Sequence, residues 1–305
     1  MARLNVGITG ASGLIGSALS RKLASNGHRV TPLVRRAAGA GEISWDPAQG
    51  RLNAKDLDGL DALVNLAGEN VGARWTRDRK MRIRESRVRG TRLLSEALAR
   101  TGRPAVLISA SAVGIYGNRG EEVLTENSPP GEARNDFLAQ VGREWEAAAE
   151  PARTAGARVV HTRFGVVLSP SGGALKKMLL PFRLGLGGRL GRGSQWMSWV
   201  SIDDAVGAID HALQVDSLSG PVNITAPEPV RNRDFARTLG RILSRPTPFA
   251  VPAAALRLAL GEMAEATLLA SARALPKRLL ASGYRFQHED LESGLRHVLQ
   301  GEAPG

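Results

Sequence analysis

Three evenly spaced glycines between a strand and a helix most constrain the fold of this chain. Residues 4–9 form a short apolar run typical of a buried strand, and Gly10, Gly13 and Gly16 follow directly. Apolar residues then recur at helical spacing up to an Asn-Gly stop signal, and residues 28–34 are again typical of a strand. A strand, glycine turn, helix and second strand within about 35 residues predict the opening unit of a parallel, dinucleotide-binding sheet.

The glycine turn has a specific physical use in such a unit. The first glycine lets the chain leave the strand tightly, the second leaves room for a pyrophosphate, and the third lets the helix pack against the strand. The helix then offers free N–H groups to an anion. A turn without a ligand is the alternative. The predicted cofactor-binding residues are Gly10, Ser12, Gly13, Leu14, Ile15 and Gly16.

The end of the second strand bears on the choice of cofactor. A protein of this type that binds NAD carries an acid some 20 residues past the turn, which holds the ribose hydroxyls. This chain has Arg35-Arg36 there instead. A guanidinium suits a 2′-phosphate by charge and by its fork of donors, so we predict that Arg35 selects NADP(H). A solvated arginine pair at a strand end is the alternative.

The following residues extend the nucleotide-binding half. Residues 61–65 are typical of a third inner strand, and the small residues after it allow a ribose or adenosine to come close, so Leu66, Ala67 and Gly68 are further candidate cofactor contacts. Arg87, in the next predicted helix, is a candidate for the cofactor phosphates, with a surface arginine as the alternative. The alternation of strands and helices predicts an α/β fold with a Rossmann-like, doubly wound parallel sheet.

Several motifs resemble the extended short-chain dehydrogenase/reductase superfamily: Thr9 to Gly16, the Asn-Leu-Ala-Gly ending at Gly68, and residues 86–91. Residues 172–204 and 260–286 are similar to its atypical epimerase-family (sulA-like) branch. The resemblance implies NADP(H) binding, a catalytic serine at Ser111, a Tyr-Gly turn at Tyr116, and a nicotinamide ribose near Gly165 and Val166.

The resemblance also implies a division of the chain. Residues 1–168 are expected to form the NADP-binding domain, with later strands from about 196–226 returning to it. Residues 169–195 and 227–301 are expected to form a substrate-side lid and a smaller C-terminal helical domain. The lid includes a glycine-rich stretch, residues 185–193, which is expected to be a mobile loop over the substrate cleft, a plain linker being the alternative.

The chain departs from the superfamily at the catalytic pair. Usual members carry a tyrosine whose pKa is lowered by a lysine four residues later. Neither tyrosine of this chain, Tyr116 or Tyr284, has that lysine, and residues 136–146 contain neither residue type. Ser111 and Tyr116 are therefore the candidate catalytic residues. In the alternative, Ser111 ends a strand and Tyr116 packs in a turn.

Composition excludes several other classes of site and partner. The chain has no cysteine, so disulfides and thiolate chemistry are excluded, and its five histidines show no metal-ligand spacing. The net charge is +12, but the arginines are dispersed among acids, which disfavours nucleic acid as a partner. No apolar run approaches a membrane span and no export signal is visible. We expect a cytoplasmic protein without a membrane partner, and a homodimer is possible.

Two functions follow from these features. The first is an NADP(H)-dependent oxidoreductase or epimerase that acts on a small carbonyl or hydroxyl substrate. The second is a catalytically silent NADP(H)-binding redox sensor or regulatory protein, which the missing Tyr-Lys pair favours.

Overall fold

A computed structural model describes residues 3–102, 105–132 and 136–300, so the outermost residues of the expected domains, 1–2 and 301, lie outside it. The strands are β1 (Asn5–Thr9), β2 (Arg29–Val34), β3 (Ile43–Ser44), β4 (Ala62–Asn65), β5 (Val106–Ala112), β6 (Val123–Leu124), β7 (Arg158–Phe164), β8 (Val166–Leu168), β9 (Gly188–Leu190), β10 (Trp196–Met197), β11 (Trp199–Ser201), β12 (Gly220–Ile224), β13 (Val230–Arg231), β14 (Phe249–Val251) and β15 (Arg273–Ala274).

Helices alternate with these strands along the chain. They are α1 (Leu14–Ser25), α2 (Arg77–Arg100), α3 (Phe137–Ala147), α4 (Glu150–Thr154), α5 (Gly173–Arg183), α6 (Ile202–Gln214), α7 (Asn232–Ile242), α8 (Ala253–Leu260), α9 (Lys277–Ala281) and α10 (Leu291–Gln300). Across the described ranges, no helix combines the length and the apolar character that crossing a bilayer requires.

A seven-stranded parallel sheet, in the order β12-β7-β5-β4-β1-β2-β3, forms the centre of the described structure. All four residues of β4 are buried, as expected of an inner strand covered on both faces. The strand order reverses at β1, which lies between β2 and β4. In open parallel sheets a ligand binds at the carboxyl ends of the strands beside such a reversal.

Helices cover both faces of the sheet. On one face, Leu19 of α1 and Ile209 of α6 pack in one core with Val64 of β4. On the other face, Leu94 of α2 packs with Leu63 of β4. Adjacent strand residues such as Leu63 and Val64 point to opposite faces, so each strand supplies both cores. The predicted doubly wound α/β sheet is confirmed.

Short strand pairs outside the main sheet join the later segments to it. β8 pairs with β11, β10 with β13, β9 with β14 and β6 with β15. Of the strands expected to return to the main sheet, β12 does so, whereas β10 and β11 pair elsewhere.

The glycine-rich stretch, residues 185–193, is not a free loop, contrary to expectation. It contains β9, and the N–H of Gly191 donates to the carbonyl of Val251 at 2.8 Å. Gly188 lies so close to the carbonyl of Phe249 that a β-carbon would overlap it. Gly188 therefore serves close packing against β14.

A buried carboxylate ties the C-terminal segment to α6. Asp204 is fully buried, and its carboxylate accepts hydrogen bonds from the backbone N–H groups of Gln287 (2.7 Å) and His288 (3.1 Å). The hydroxyls of Ser201 and Tyr284 complete its partners, at 2.9 and 3.3 Å. Four donors compensate the cost of burying this charge.

We expect Asp204→Ala to lower the free energy of unfolding by about 3 kcal/mol, because it leaves two buried N–H groups without an acceptor. The matched control is Asp203→Ala, since Asp203 is 44% exposed and contacts His297. That variant is expected to change stability by less than about 0.5 kcal/mol. Urea unfolding of both variants measures the difference, and equal losses would contradict this assignment.

Candidate functional site

The glycine turn lies at the carboxyl ends of β1 and β4, where the strand order reverses. Gly10 has a φ of +67°, and a β-carbon there would lie 2.9 Å from the carbonyl of Leu66. A β-carbon on Gly16 would overlap the carbonyl oxygen of Gly10. The backbone thus has room only for glycine at both positions. Gly13 precedes α1 and gives no side-chain cap, so it leaves the first N–H groups of the helix open to an anion.

A line of buried hydrogen bonds positions the residues opposite the turn. The hydroxyl of Thr9 donates to Asn65 (2.7 Å) and accepts from the N–H groups of Leu66 (3.2 Å) and Ala67 (3.3 Å). The amide of Asn65 donates to Thr91 of α2 at 2.8 Å, and so does the indole of Trp145 of α3 at 2.9 Å. These bonds hold Leu66 and Ala67 against the glycine turn.

Arg87 lies beneath Gly68, the last of the predicted contacts on this strand end. Its guanidinium donates to the carbonyls of Glu69 (3.0 Å) and Ile83 (3.1 Å) and lies over the ring of Trp145, 5.0 Å from its centroid. A β-carbon on Gly68 would lie 3.3 Å from the guanidinium carbon. Burial lowers the pKa of Arg87 to about 10, against the attraction of Glu69. Arg87 remains a cation at neutral pH and is not an ordinary surface arginine.

Arg35 lies one residue beyond β2, at the rim of a surface depression of about 380 Å³. Its neighbour Arg36 forms a two-pronged ion pair with Glu42, with both contacts at 2.7 Å. Arg35 is exposed, and no ion pair to it is found among the described residues. The lining of the depression is Arg35, Arg36, Ala37, Ser44, Trp45, Asp46, Arg51, Leu52, Asn53 and Asp56. Arg36 and Arg51 are paired with Glu42 and Asp46, so Arg35 is the arginine of this lining that suits a phosphate group.

Ser111, the predicted catalytic serine, ends a buried polar network. Its hydroxyl donates to Glu146 of α3 at 2.8 Å. Arg163 of β7 holds the same carboxylate with two further contacts at 2.8 Å. An ionised carboxylate only accepts hydrogen bonds, so the Ser111 proton points to Glu146 and the serine lone pairs remain for another donor. Ser111 is 2% exposed and precedes the exposed Ala112.

Tyr116, the second predicted catalytic residue, lies at the far end of this network and has no exposed surface. Its hydroxyl accepts from Arg163 (2.9 Å) and contacts Asn223 (2.8 Å) and the carbonyl of Thr125 (3.0 Å). Burial raises the pKa of Tyr116, although Arg163 opposes the shift. This geometry supports the alternative in which Tyr116 is a packed turn residue.

The helix that carries the Tyr-Lys pair in usual members is α3, and here it has a different packing role. A β-carbon on Gly142 would lie 2.9 Å from the side chain of Ile115. Any longer side chain at Gly142 would force Ile115 to move. Sequence reasoning missed Glu146, whose signal was its place on an amphipathic helix, and missed Arg163, whose signal was a charge inside a buried strand. A buried charge requires a partner.

Gly165 and Val166 lie where β7 passes into β8, next to β5 in the sheet. A β-carbon on Gly165 would lie 2.5 Å from the carbonyl oxygen of Ser198, and the Val166 N–H donates to that oxygen at 2.8 Å. Both residues are half-buried. The predicted site residues therefore lie at one edge of the sheet, the carboxyl ends of β1, β4, β5, β7 and β2. In that order, these ends carry the glycine turn, residues 66–68, Ser111, residues 165–166 and Arg35.

The ionisation of the two tyrosines tests whether Tyr116 is a packed turn residue. Burial raises the pKa of Tyr116 and of Tyr284, the latter also through Asp204. At pH 10, where an exposed tyrosine is half ionised, we expect little tyrosinate absorbance near 295 nm from the native protein and full absorbance after unfolding. Since the unfolded chain loses these protons first, stability should fall as the pH rises through 10. A tyrosinate that forms below pH 9 in Tyr284→Phe would show instead an activated Tyr116.

Comparisons with known proteins agree with this geometry. Residues 6–225 match the NAD dependent epimerase/dehydratase family, and residues 251–298 match a domain of unknown function, DUF1731. The chain is 46% identical over 300 residues to epimerase family protein Mb2239 of Mycobacterium bovis, covering 98% of each chain. It is 37% identical over 302 residues to epimerase family protein YfhF of Bacillus subtilis, covering 97% of this chain and 98% of the relative.

A solved structure shows the same fold over nearly the whole length. The crystal structure of human epimerase family protein SDR39U1 (isoform 2) with NADPH superposes with a TM-score of 0.89 at 34% identity, covering 98% of this chain and 100% of the human one. These matches confirm the resemblance to the atypical extended reductases. The chain therefore belongs to the NAD dependent epimerase/dehydratase family, as a member with a DUF1731 domain in its C-terminal part.

Proposed function

We propose that this protein is an NADP(H)-dependent oxidoreductase or epimerase that acts on a small hydroxyl or carbonyl compound. The observation that carries the proposal is the glycine turn at the strand reversal, with Ser111 at the end of β5, the strand that pairs with β4. The human relative, which this chain covers in full, was crystallised with NADPH, which supports the choice of cofactor.

The residues present fit a dinucleotide phosphate. The pyrophosphate would lie on the open N–H groups of α1, where a side chain on Gly10 or Gly16 would collide with backbone. Arg35 would hold the 2′-phosphate, and Arg87 would reach the cofactor from beneath Gly68. Gly165 and Val166 would lie along the nicotinamide ribose. When bound, the nicotinamide supplies a hydride acceptor or donor.

Ser111 and Glu146 would move the proton. In the oxidising direction, the substrate hydroxyl gives its proton to the Ser111 oxygen while the Ser111 proton passes to the Glu146 carboxylate. The hydride leaves the same substrate carbon, so the alcohol becomes a carbonyl. The reverse direction requires Glu146 to hold the proton first. The two contacts from Arg163 hold the Glu146 carboxylate in place beside Ser111.

Removing the Arg35 guanidinium should weaken NADPH binding selectively. We expect Arg35→Ala to raise the Kd for NADPH about tenfold, the loss of one charge-assisted contact, and to leave the Kd for NADH unchanged. The matched control is Arg29→Ala, which removes an exposed arginine at the other end of β2. Titration calorimetry with both nucleotides gives the two ratios. Equal weakening for NADH and NADPH would refute a 2′-phosphate contact.

Turnover should depend on Ser111 and not on its neighbour on the same strand face. We expect Ser111→Ala to lower NADPH consumption, followed at 340 nm over a panel of aldehydes and ketones, by about 100-fold with NADPH affinity unchanged. Ser109→Ala is the control, because the Ser109 hydroxyl is buried and no partner for it is found in the described structure. Equal activity of the two variants would exclude Ser111 from the reaction. Tight NADPH binding with no turnover on any compound would favour the silent sensor.

A further inference from the structure

An exposed apolar patch lies at the C-terminal end of α5 and the strands that follow. Leu180, Leu184 and Leu186 are 65%, 64% and 61% exposed, and Phe249 of β14 is 53% exposed. Backbone contacts bring these four residues close to one another. Leu184 follows Leu180 by one helical turn, the Leu186 N–H donates to the carbonyl of Pro181, and Phe249 lies opposite Gly188 in the β9–β14 pair.

Cations surround this leucine patch, and acids are missing from the segments that build it. Lys176, Lys177 and Arg189 are exposed on α5 and β9. Arg245, near β14, donates to the carbonyl of Arg183 at 2.8 Å. Residues 151–202 and 235–261 contain no aspartate or glutamate. The patch is therefore apolar at its centre and positive at its rim.

We propose that the leucine patch docks on an anionic phospholipid surface. Leucine and phenylalanine side chains enter the boundary between head groups and acyl chains, while lysine and arginine pair with lipid phosphates. This mode needs no membrane-spanning segment. The expectation of no membrane partner depended on the lack of such a segment and does not bear on surface docking.

The charge pattern favours this occupant over the others. A second copy of the chain on a two-fold axis would place one cationic rim against another, and these like charges repel. A nucleic acid would satisfy the cations but leave the leucines in water, since base recognition uses stacking aromatic side chains. Of these three occupants, only an anionic lipid surface supplies both the hydrocarbon and the negative charge.

The patch is built on a firmly packed helix, so its exposure is not the result of loose folding. Leu175, Leu179 and Phe182, on the opposite face of α5, are 0%, 4% and 6% exposed. Near the other end of the helix, a β-carbon on Gly172 would contact Leu14 of α1 at 3.2 Å. The leucines thus lie about one helix length, roughly 16 Å, from the glycine turn.

Flotation of the full chain with lipid vesicles tests the proposal. We expect binding to vesicles of phosphatidylcholine mixed equally with phosphatidylglycerol, and none to phosphatidylcholine alone. Combining Leu180→Ser, Leu184→Ser and Leu186→Ser should reduce binding at least tenfold. Lys176→Glu with Arg189→Glu should reduce it by roughly fivefold for each cation removed.

Two matched controls distinguish the effect of the patch from nonspecific binding through other apolar side chains and from a change of net charge. Leu280→Ser and Met81→Ser remove exposed apolar side chains elsewhere, which are 42% and 52% exposed, and should leave binding unchanged. Arg21→Glu with Arg29→Glu makes the same charge change on another surface. NADPH affinity of every variant reports an intact fold.

Three outcomes would overturn the proposal. The first is no binding to the mixed vesicles, and the second is equal loss in the patch and control variants. The third is a dimer, seen by analytical ultracentrifugation, that the triple serine variant abolishes, because the occupant would then be a second copy. Vesicle binding lost only in the patch variants supports the lipid surface.

Discussion

The close approach of Gly10 to the carbonyl of Leu66 is the constraint on which the rest of the site depends. With no side chain at Gly10 or Gly16, β1, α1 and the residues after β4 come together at the strand reversal. The buried bonds from Thr9 through Asn65 to Thr91 hold that geometry from the other side. The crevice is thus shaped by backbone, and its open N–H groups suit an anion whatever side chains surround it.

The parts of the fold that local patterns determine could be predicted from the sequence. The glycine unit, the inner strands and the doubly wound sheet all follow from apolar runs and turn residues within a few positions of one another. β9 could not be predicted, because Gly188 is explained by Phe249, some 60 residues later in the chain. The tether at Asp204 depends on N–H groups more than 80 residues away, so no local pattern could predict it.

The candidate site shows the same division between local and distant information. The predicted cofactor residues lie in contiguous motifs, so the sequence can suggest them without the fold. The partners of Ser111 and Tyr116 come from α3 and β7, and only the folded sheet brings Arg163 between them. In place of a tyrosine on α3, this chain has a buried ion pair between Glu146 and Arg163. Such a pair adds little to stability, whereas removing one partner leaves an uncompensated charge, so it is better explained by the orientation of Ser111 than by folding energy.

Helix α5 combines two roles that a single amphipathic face cannot meet. A surface helix normally buries one apolar stripe and exposes a polar one. Here Leu179 and Phe182 fill the core while Leu180 and Leu184 extend the apolar surface to the opposite side. The buried stripe is sufficient to hold the helix against β8 and the core beside α7, so folding does not require the second stripe. An apolar stripe that folding does not need, bordered by cations and free of acids, is explained by a contact made outside the molecule.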